Sequence, residues 1–187
     1  MPNWCNNNLR LEHTDPAMIQ RFVAAFKKGE AMQEFLPCPQ ELRDSPAPFR
    51  GDDADALIEK YGASDWYNWC VNNWGTKWDI GGDDFLIDEV DTNTVRVSFD
   101  SAWAPPVNFY EHLAAIGFNL EAMYYEPGMA FAGTVTSSDG EIFDDYCEYG
   151  DMNSDEVRDT LPSELDEQFG ISEQMADWEA EQEDEEE

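Results

Sequence analysis

Residues 94–117 read TVRVSFDSAWAPPVNFYEHLAAIG, and this stretch decides the fold because its hydrophobic period changes partway along it. Apolar and polar residues alternate over 94–100, which is the pattern of a strand with one buried face. Pro105 and Pro106 suit the first turn of a helix, and Gly117 suits its end. The stretch therefore predicts a strand followed directly by a helix.

The neighbouring segments extend this pattern into a ferredoxin-like, or split β-α-β, arrangement of the α+β class. In that fold two helices cover one face of an antiparallel sheet. The other face needs cover, and the candidates are helices of an insertion and the apolar stripe within 154–169. The predicted elements are strand 4–12, a helix from Asp15 to Gly29, strands 84–90 and 94–100, a helix to Ile116, strand 118–125 and an extra hairpin of 129–136 with 141–148.

Residues 30–83 are predicted to be a helical insertion between the first helix and the second strand. The first half contains four prolines, which forbid a continuous helix or central strand and predict a loop. The second half predicts two short helices, at 53–61 and 64–74. Three tryptophans fall within the second of these helices, so the insertion is rich in tryptophan.

The formal net charge of the 187-residue chain is −32, from 42 acidic and 10 basic residues. Such a surface repels phosphates and the basic residues are scattered, so we expect no direct binding to nucleic acid and favour a basic protein as partner. Residues 139–187 hold 21 of the acidic residues and one basic residue, Arg158. The sequence predicts a domain at 1–150 and an acidic C-terminal extension at 151–187, whose final 15 residues are a solvated tail, disordered or transiently helical.

Cysteine and histidine spacing predicts neither a metal site nor a cofactor. No CxxC pair occurs, and neither histidine has a ligand partner at helix or turn spacing. The amino terminus lacks the regions of a signal peptide, and no apolar run approaches the ~20 residues that span a membrane. We therefore expect a cytoplasmic protein with no membrane association and four free thiols, Cys5, Cys38, Cys70 and Cys147.

Three blocks of sequence between residues 3 and 106 carry a resemblance to a known family. They are NWCNNNL at 3–9, NNWGTKWD at 72–79 and SAWAPP at 101–106. Together they resemble the YubB ferredoxin-like family of conjugative-plasmid and phage proteins. The resemblance implies a ferredoxin-like fold and a mobile-element setting without implying an activity, and the extension beyond about Asp151 lies outside it.

The aromatic block from Trp66 to Trp78 is the first candidate site. Its rings could line a pocket for a base, a peptide or a planar ligand. The same rings suit a hydrophobic core, because tryptophan buries a large area and uses its indole N–H in a local hydrogen bond. Both interpretations stay open from sequence alone. The candidate ligand-binding or partner-binding residues are Trp74, Lys77, Trp78, Asp79 and Trp103.

A row of acidic residues near the start of the extension is the second candidate. Carboxylates held at fixed spacing could resemble DNA phosphates to a basic protein, whereas the ordinary alternative is a solvated face that confers solubility. A flexible tail alone would imitate DNA poorly. The candidate residues are Asp144, Asp145, Glu148, Asp151, Asp155, Glu156 and Asp159.

The segment GGDDF at 81–85 invites comparison with the metal-binding turn of nucleotide cyclases. A cyclase would also need a metal-binding aspartate on the first strand and basic residues for the triphosphate. The first strand offers Asn6, Asn7 and Asn8 instead. The sequence therefore predicts a flexible turn at this position and no catalytic residue in the chain.

These features predict a non-enzymatic accessory protein of a mobile element. It would bind a basic host protein, of a kind that itself binds nucleic acid, through its acidic surface, as a DNA mimic or an inhibitor of host defence. The alternative hypothesis is a small-ligand or peptide-binding module that uses the Trp-rich insertion. Solvent exposure of the tryptophan side chains discriminates between the two hypotheses.

Overall fold

The segments predicted as strands lie together in an antiparallel sheet. The computed structural model describes residues 3–82 and 85–186. In that part of the chain the strands are β1 (Trp4–Glu12), β2 (Phe85–Val90), β3 (Thr94–Ala102), β4 (Asn119–Glu126), β5 (Phe131–Ser138) and β6 (Glu141–Glu148). Their order across the sheet is β2-β3-β1-β4-β5-β6.

Helices flank the sheet and fill the insertion. Two of them follow β1 and β3 in the predicted way, and α1 begins where the Asp15 side chain accepts a hydrogen bond from the Ala17 backbone N–H. The first half of the insertion, predicted as a loop, contains two short helices. The helices are α1 (Pro16–Phe26), α2 (Ala31–Phe35), α3 (Gln40–Arg43), α4 (Ala54–Tyr61), α5 (Trp66–Trp74), α6 (Val107–Ala115), α7 (Ser154–Thr160), α8 (Ser163–Phe169) and α9 (Ile171–Glu186).

The strand order β2-β3-β1-β4, with α1 and α6 as the two crossover helices, confirms the predicted ferredoxin-like fold. Leu9 lies at the middle of the central strand, opposite Val97 of β3 and Ala122 of β4. The extra hairpin, β5 with β6, adds two strands beyond β4. Strand β6 therefore forms one edge of the six-stranded sheet.

One face of the sheet forms the main core with α1, α6 and the insertion. Leu9 and Val97 are fully buried there against Phe22 of α1 and Phe109 of α6. Trp69 and Trp74 of α5 belong to the same buried cluster. The insertion helices therefore enlarge this core, and they do not cover the opposite face of the sheet.

The opposite face is covered over β4 and β5 by the carboxyl-terminal helices. A second buried cluster joins Tyr125 and Ala132 of the sheet to Val157 of α7, Leu165 of α8 and Ile171 of α9. The apolar stripe in 154–169 therefore provides the cover that the sequence suggested. The stripe is broken at Pro162, which separates α7 from α8.

The end of the chain was expected to be a disordered or transiently helical tail. Residues 173–186 continue the helix α9, whose first residue, Ile171, is fully buried. The Ser154 backbone N–H and hydroxyl donate to the Glu179 carboxylate at 2.9 and 2.6 Å, which ties α9 to the start of α7. These contacts anchor α9 as far as Glu179, in a segment whose composition alone predicts a solvated tail.

The GGDDF segment falls partly outside the described residues, because Asp83 and Asp84 are not among them. Gly81 has a φ of 95°, and a Cβ at this position would overlap the Phe26 carbonyl oxygen. The Gly82 backbone N–H donates to that oxygen at 2.9 Å. The paired glycines therefore allow close packing against the end of α1.

Candidate functional site

Helix α5 positions the aromatic block and has well-defined ends. At its start the buried Asp65 side chain accepts hydrogen bonds from the backbone N–H groups of Asn68, at 2.9 Å, and Phe49, at 3.2 Å. Burial alone would raise the pKa of Asp65, but these hydrogen bonds hold it below its usual value. At its end Gly75 adopts a φ of 89° and lies close to the start of α6, where a Cβ would come within 3.1 Å of the Pro105 oxygen.

The predicted aromatic residues divide between the core and the surface. Trp74 is 5% exposed, and its indole N–H donates to the Leu36 carbonyl oxygen at 2.9 Å. Trp78 is 40% exposed, and its ring lies 5.9 Å from that of Trp4. Trp74 therefore follows the core interpretation, whereas Trp78 offers an accessible ring.

Trp103 lies apart from the other candidates, in the connection between β3 and α6. It is 45% exposed, and its backbone has a φ of 72°, an uncommon value for a residue with a side chain. Its backbone N–H donates to the Asn3 carbonyl oxygen at 2.9 Å. The other four candidates line a cavity, described next. Trp103 does not line it, although its sequence block is also rich in tryptophan.

That cavity, of about 460 Å³, lies where the insertion meets the end of α1. It combines aromatic rings, basic groups and two buried thiols. Its lining residues include Trp74, Lys77, Trp78 and Asp79 of the candidate set and Trp66 and Cys70 of the same aromatic block, whereas Lys28, Glu30, Cys38 and Arg43 come from outside that block. Burial raises the pKa of both thiols, so they are neutral at physiological pH.

Asp79 holds the insertion together at the floor of this cavity. One carboxylate oxygen accepts the backbone N–H groups of Met32 and Ile80 at 2.7 and 2.8 Å, and the other accepts that of Gln33 at 2.9 Å. Burial raises its pKa to about 6, since these hydrogen bonds only partly offset desolvation and Glu30 adds repulsion. Both oxygens of the Asp79 carboxylate therefore accept backbone hydrogen bonds, two of which come from α2.

The seven acidic candidates lie on β6, the loop after it and α7, and all seven are exposed. We call this set the acidic face: Asp144, Asp145, Glu148, Asp151, Asp155, Glu156 and Asp159. Within it, Asp144 and Glu148 lie on the side of the sheet that carries the main core, whereas Asp145 lies on the side that α7 covers. Strand β6 pairs with β5 along its whole length. Helix α7 begins with a capping box in which Asn153 and Glu156 bond each other's backbone N–H groups. The backbone that carries these carboxylates is therefore folded.

A hydrogen bond across strand β5 connects Asp144 of the acidic face to the main core. The Tyr124 hydroxyl donates to Asp144 at 2.7 Å. Its ring passes over Gly133, where a Cβ would overlap the hydroxyl oxygen. Burial and the neighbouring carboxylate raise the pKa of Tyr124 well above its usual value, so it remains a donor. Asp144 is thus fixed in position while staying exposed.

Comparison with known proteins identifies a family. The family model described as the ferredoxin-like domain in Api92-like protein matches residues 73–187. The match begins in α5 and includes the acidic extension, which the resemblance noted from sequence did not cover. The family's description names no enzymatic activity.

The crystal structure of the protein Api92 from Yersinia pseudotuberculosis matches with a TM-score of 0.49 and 13% sequence identity, over 80% of this chain and 99% of that chain. No curated protein matches the sequence. Within residues 3–82 and 85–186, no helix is long and apolar enough to cross a membrane. The same residues contain no group of three or more His, Cys, Asp or Glu side chains arranged to hold a metal ion.

Proposed function

This chain belongs to the family of ferredoxin-like domains in Api92-like proteins, and from that premise we propose that it is a non-enzymatic protein whose acidic face binds a basic protein. The observation that carries the proposal is the folded backbone of residues 141–160. The carboxylates project from a paired strand and a capped helix, so their spacing is fixed. Fixed spacing is what separates a docking surface from a merely solvated tail.

The charge around the acidic face suits electrostatic recognition. Residues 139–187 carry a net charge of −20, with Arg158 as their one basic residue. That arginine pairs with Asp155 at 2.9 Å, so a single cation is set against the acidic residues of this segment. Complementary charge accelerates encounter and excludes acidic partners, including bare nucleic acid.

The partner class that fits such a row of carboxylates is a host protein that itself binds nucleic acid. The acidic face would then act as a mimic of DNA phosphates and inhibit the host protein, for example one used in defence. This proposal adopts the setting implied by the YubB resemblance, an accessory protein of a plasmid or phage that works in the host cytoplasm. The support is the charge of the extension together with its ordered backbone.

The test compares two variants with equal net charge. The face variant replaces Asp145, Asp151 and Asp159 with asparagine, because no hydrogen bond or ion pair within the described residues involves these side chains. The control variant replaces three exposed acids of the insertion: Asp52→Asn, Asp55→Asn and Glu59→Gln. Deletion of the whole extension is a poorer test, since it exposes the second core around Tyr125.

Tagged wild type and both variants are used to capture proteins from host lysate at about 0.1 M and about 1 M salt, where the Debye length falls from about 10 to about 3 Å. We expect wild type and the control variant to retain a basic protein at low salt only, and the face variant to lose it. Equal loss with both variants would show that bulk charge is responsible. Capture that is insensitive to salt would also contradict the proposal.

A further inference from the structure

The basic residues of this acidic chain are not evenly distributed over its surface. Three of the ten, Lys28, Arg43 and Lys77, line the cavity at the insertion. They come from the end of α1, from α3 and from the loop after α5, and the fold brings them together. A concentration of positive charge in a cavity of a chain with net charge −32 favours the binding of an anion.

None of these three side chains forms an ion pair with another described residue. Elsewhere the structure pairs Arg10 with Glu12, Arg21 with Glu34, Lys60 with Glu41 and Arg158 with Asp155. Two acids, Glu30 and Asp79, also line the cavity, so its three cations outnumber its carboxylates by one, and both carboxylate oxygens of Asp79 accept backbone N–H groups. The N–H donors of Lys28, Arg43 and Lys77 are therefore available to a ligand in the cavity.

The aromatic walls add a second requirement on the ligand. Trp66 and Trp78 both line the cavity, and Trp78 is one of the exposed large apolar residues of the chain. The Lys77 ammonium lies 4.3 Å from the centroid of the Trp78 ring, in a cation–π contact that holds it at the cavity wall. A volume of about 460 Å³ is within the range of small-molecule sites.

We propose that this cavity binds a small organic anion that carries a planar aromatic ring. The ring packs against Trp66 and Trp78, and the anionic group faces Lys77, Arg43 and Lys28. Aromatic stacking and charge-assisted hydrogen bonds are the two interactions that this lining supplies. The inference is independent of the acidic face, which lies on β6 and α7.

The test uses a matched pair of fluorescent probes with the full chain. The anionic probe is 8-anilinonaphthalene-1-sulfonate, and N-phenyl-1-naphthylamine has the same rings without the sulfonate. We expect saturable binding of the sulfonate at one site per chain, at least about tenfold tighter than that of the uncharged probe. Equal affinity for the two probes, or no saturable binding of the sulfonate, would overturn the proposal.

Variants locate the binding site. Arg43→Gln and Lys77→Met are each expected to weaken sulfonate binding about tenfold, because each removes a charge-assisted contact. Lys60→Met is the control, since Lys60 pairs with Glu41 and does not line the cavity. Near-ultraviolet circular dichroism checks that each variant keeps the native packing. Affinity that is unchanged in Arg43→Gln and Lys77→Met, or reduced equally by Lys60→Met, would contradict the assignment.

Competition identifies the anionic group. Adenosine monophosphate is the aromatic phosphate and indole-3-acetate the aromatic carboxylate, while adenosine and inorganic phosphate supply a ring or a charge alone. We expect one of the two aromatic anions to displace the sulfonate probe at a concentration at which neither partial ligand does. Displacement by neither aromatic anion, or equal displacement by inorganic phosphate alone, would contradict the proposal.

Discussion

Replacing Leu165 with alanine is expected to lower the free energy of unfolding by about 2 to 5 kcal/mol. Leu165 is 1% exposed and lies in α8, in the buried cluster that joins the carboxyl-terminal helices to β4 and β5. Truncation removes its buried methyl groups and leaves a cavity between the helices and the sheet. The change in unfolding free energy is measured by urea denaturation of the full chain, followed by tryptophan fluorescence.

The neighbouring Glu164 provides the control for this prediction. Its side chain is exposed on the same helix, so Glu164→Ala is expected to change the free energy of unfolding by no more than about 0.5 kcal/mol. If Leu165→Ala were as mild as Glu164→Ala, the helices would not be part of the cooperative fold. The acidic face would then lack the support of α8 and α9.

The second large effect is a pH dependence from Asp79. Its pKa is raised to about 6 in the folded protein, from the value of 3.8 expected for an unfolded chain. The folded protein therefore binds more protons than the unfolded chain between about pH 4 and pH 6, and stability falls as pH rises through this window. At about 1.4 kcal/mol per pKa unit, the total loss is about 3 kcal/mol.

The measurement compares wild type with Asp79→Asn at several pH values from about 3.5 to 7. Asparagine does not titrate, but its amide donor would face the Gln33 backbone N–H, so this variant is less stable at low pH. We expect the advantage of wild type to shrink as pH rises, while Asp52→Asn, at an exposed position, shows no such trend. A constant difference between wild type and Asp79→Asn would show that the pKa of Asp79 is not raised.

The sheet and its two crossover helices could be predicted because their patterns are local. In β3 the buried residues Val95, Val97 and Phe99 alternate with polar ones, and the double proline marks where α6 starts. The helices in the first half of the insertion are harder to predict from sequence, because α2 is five residues long and α3 is four residues long. Helices that short depend on tertiary contacts, such as those of Asp79, for their stability.

For the end of the acidic extension, composition alone does not decide between a disordered and a helical state. Nine acids in the last 15 residues predict a solvated tail. The burial of Ile171 and the two hydrogen bonds from Ser154 to Glu179 involve single residues with no periodic pattern. Only their positions in the folded chain show that they hold α9 in place.

The cavity shows the same limit of sequence reasoning. Lys77 and Trp78 were identified because they lie in the aromatic block. Lys28 and Arg43 are distant from that block in sequence and share no motif with it, so no local signal marks them. The sequence leaves the aromatic block open between core and pocket, and both interpretations apply: Trp74 is buried and Trp78 is exposed, while both line the cavity.

The folded state of the acidic face is tested most directly by hydrogen exchange of the free protein, read by mass spectrometry on peptides from residues 141–171. We expect the hydrogen-bonded amides of β6, α7 and α8 to be protected to an extent comparable with those of β1 and β4, because they belong to the same cooperative structure. Complete exchange of these peptides at the earliest time point, with the sheet still protected, would show that the carboxylates are not held at fixed spacing and would contradict the proposed docking surface.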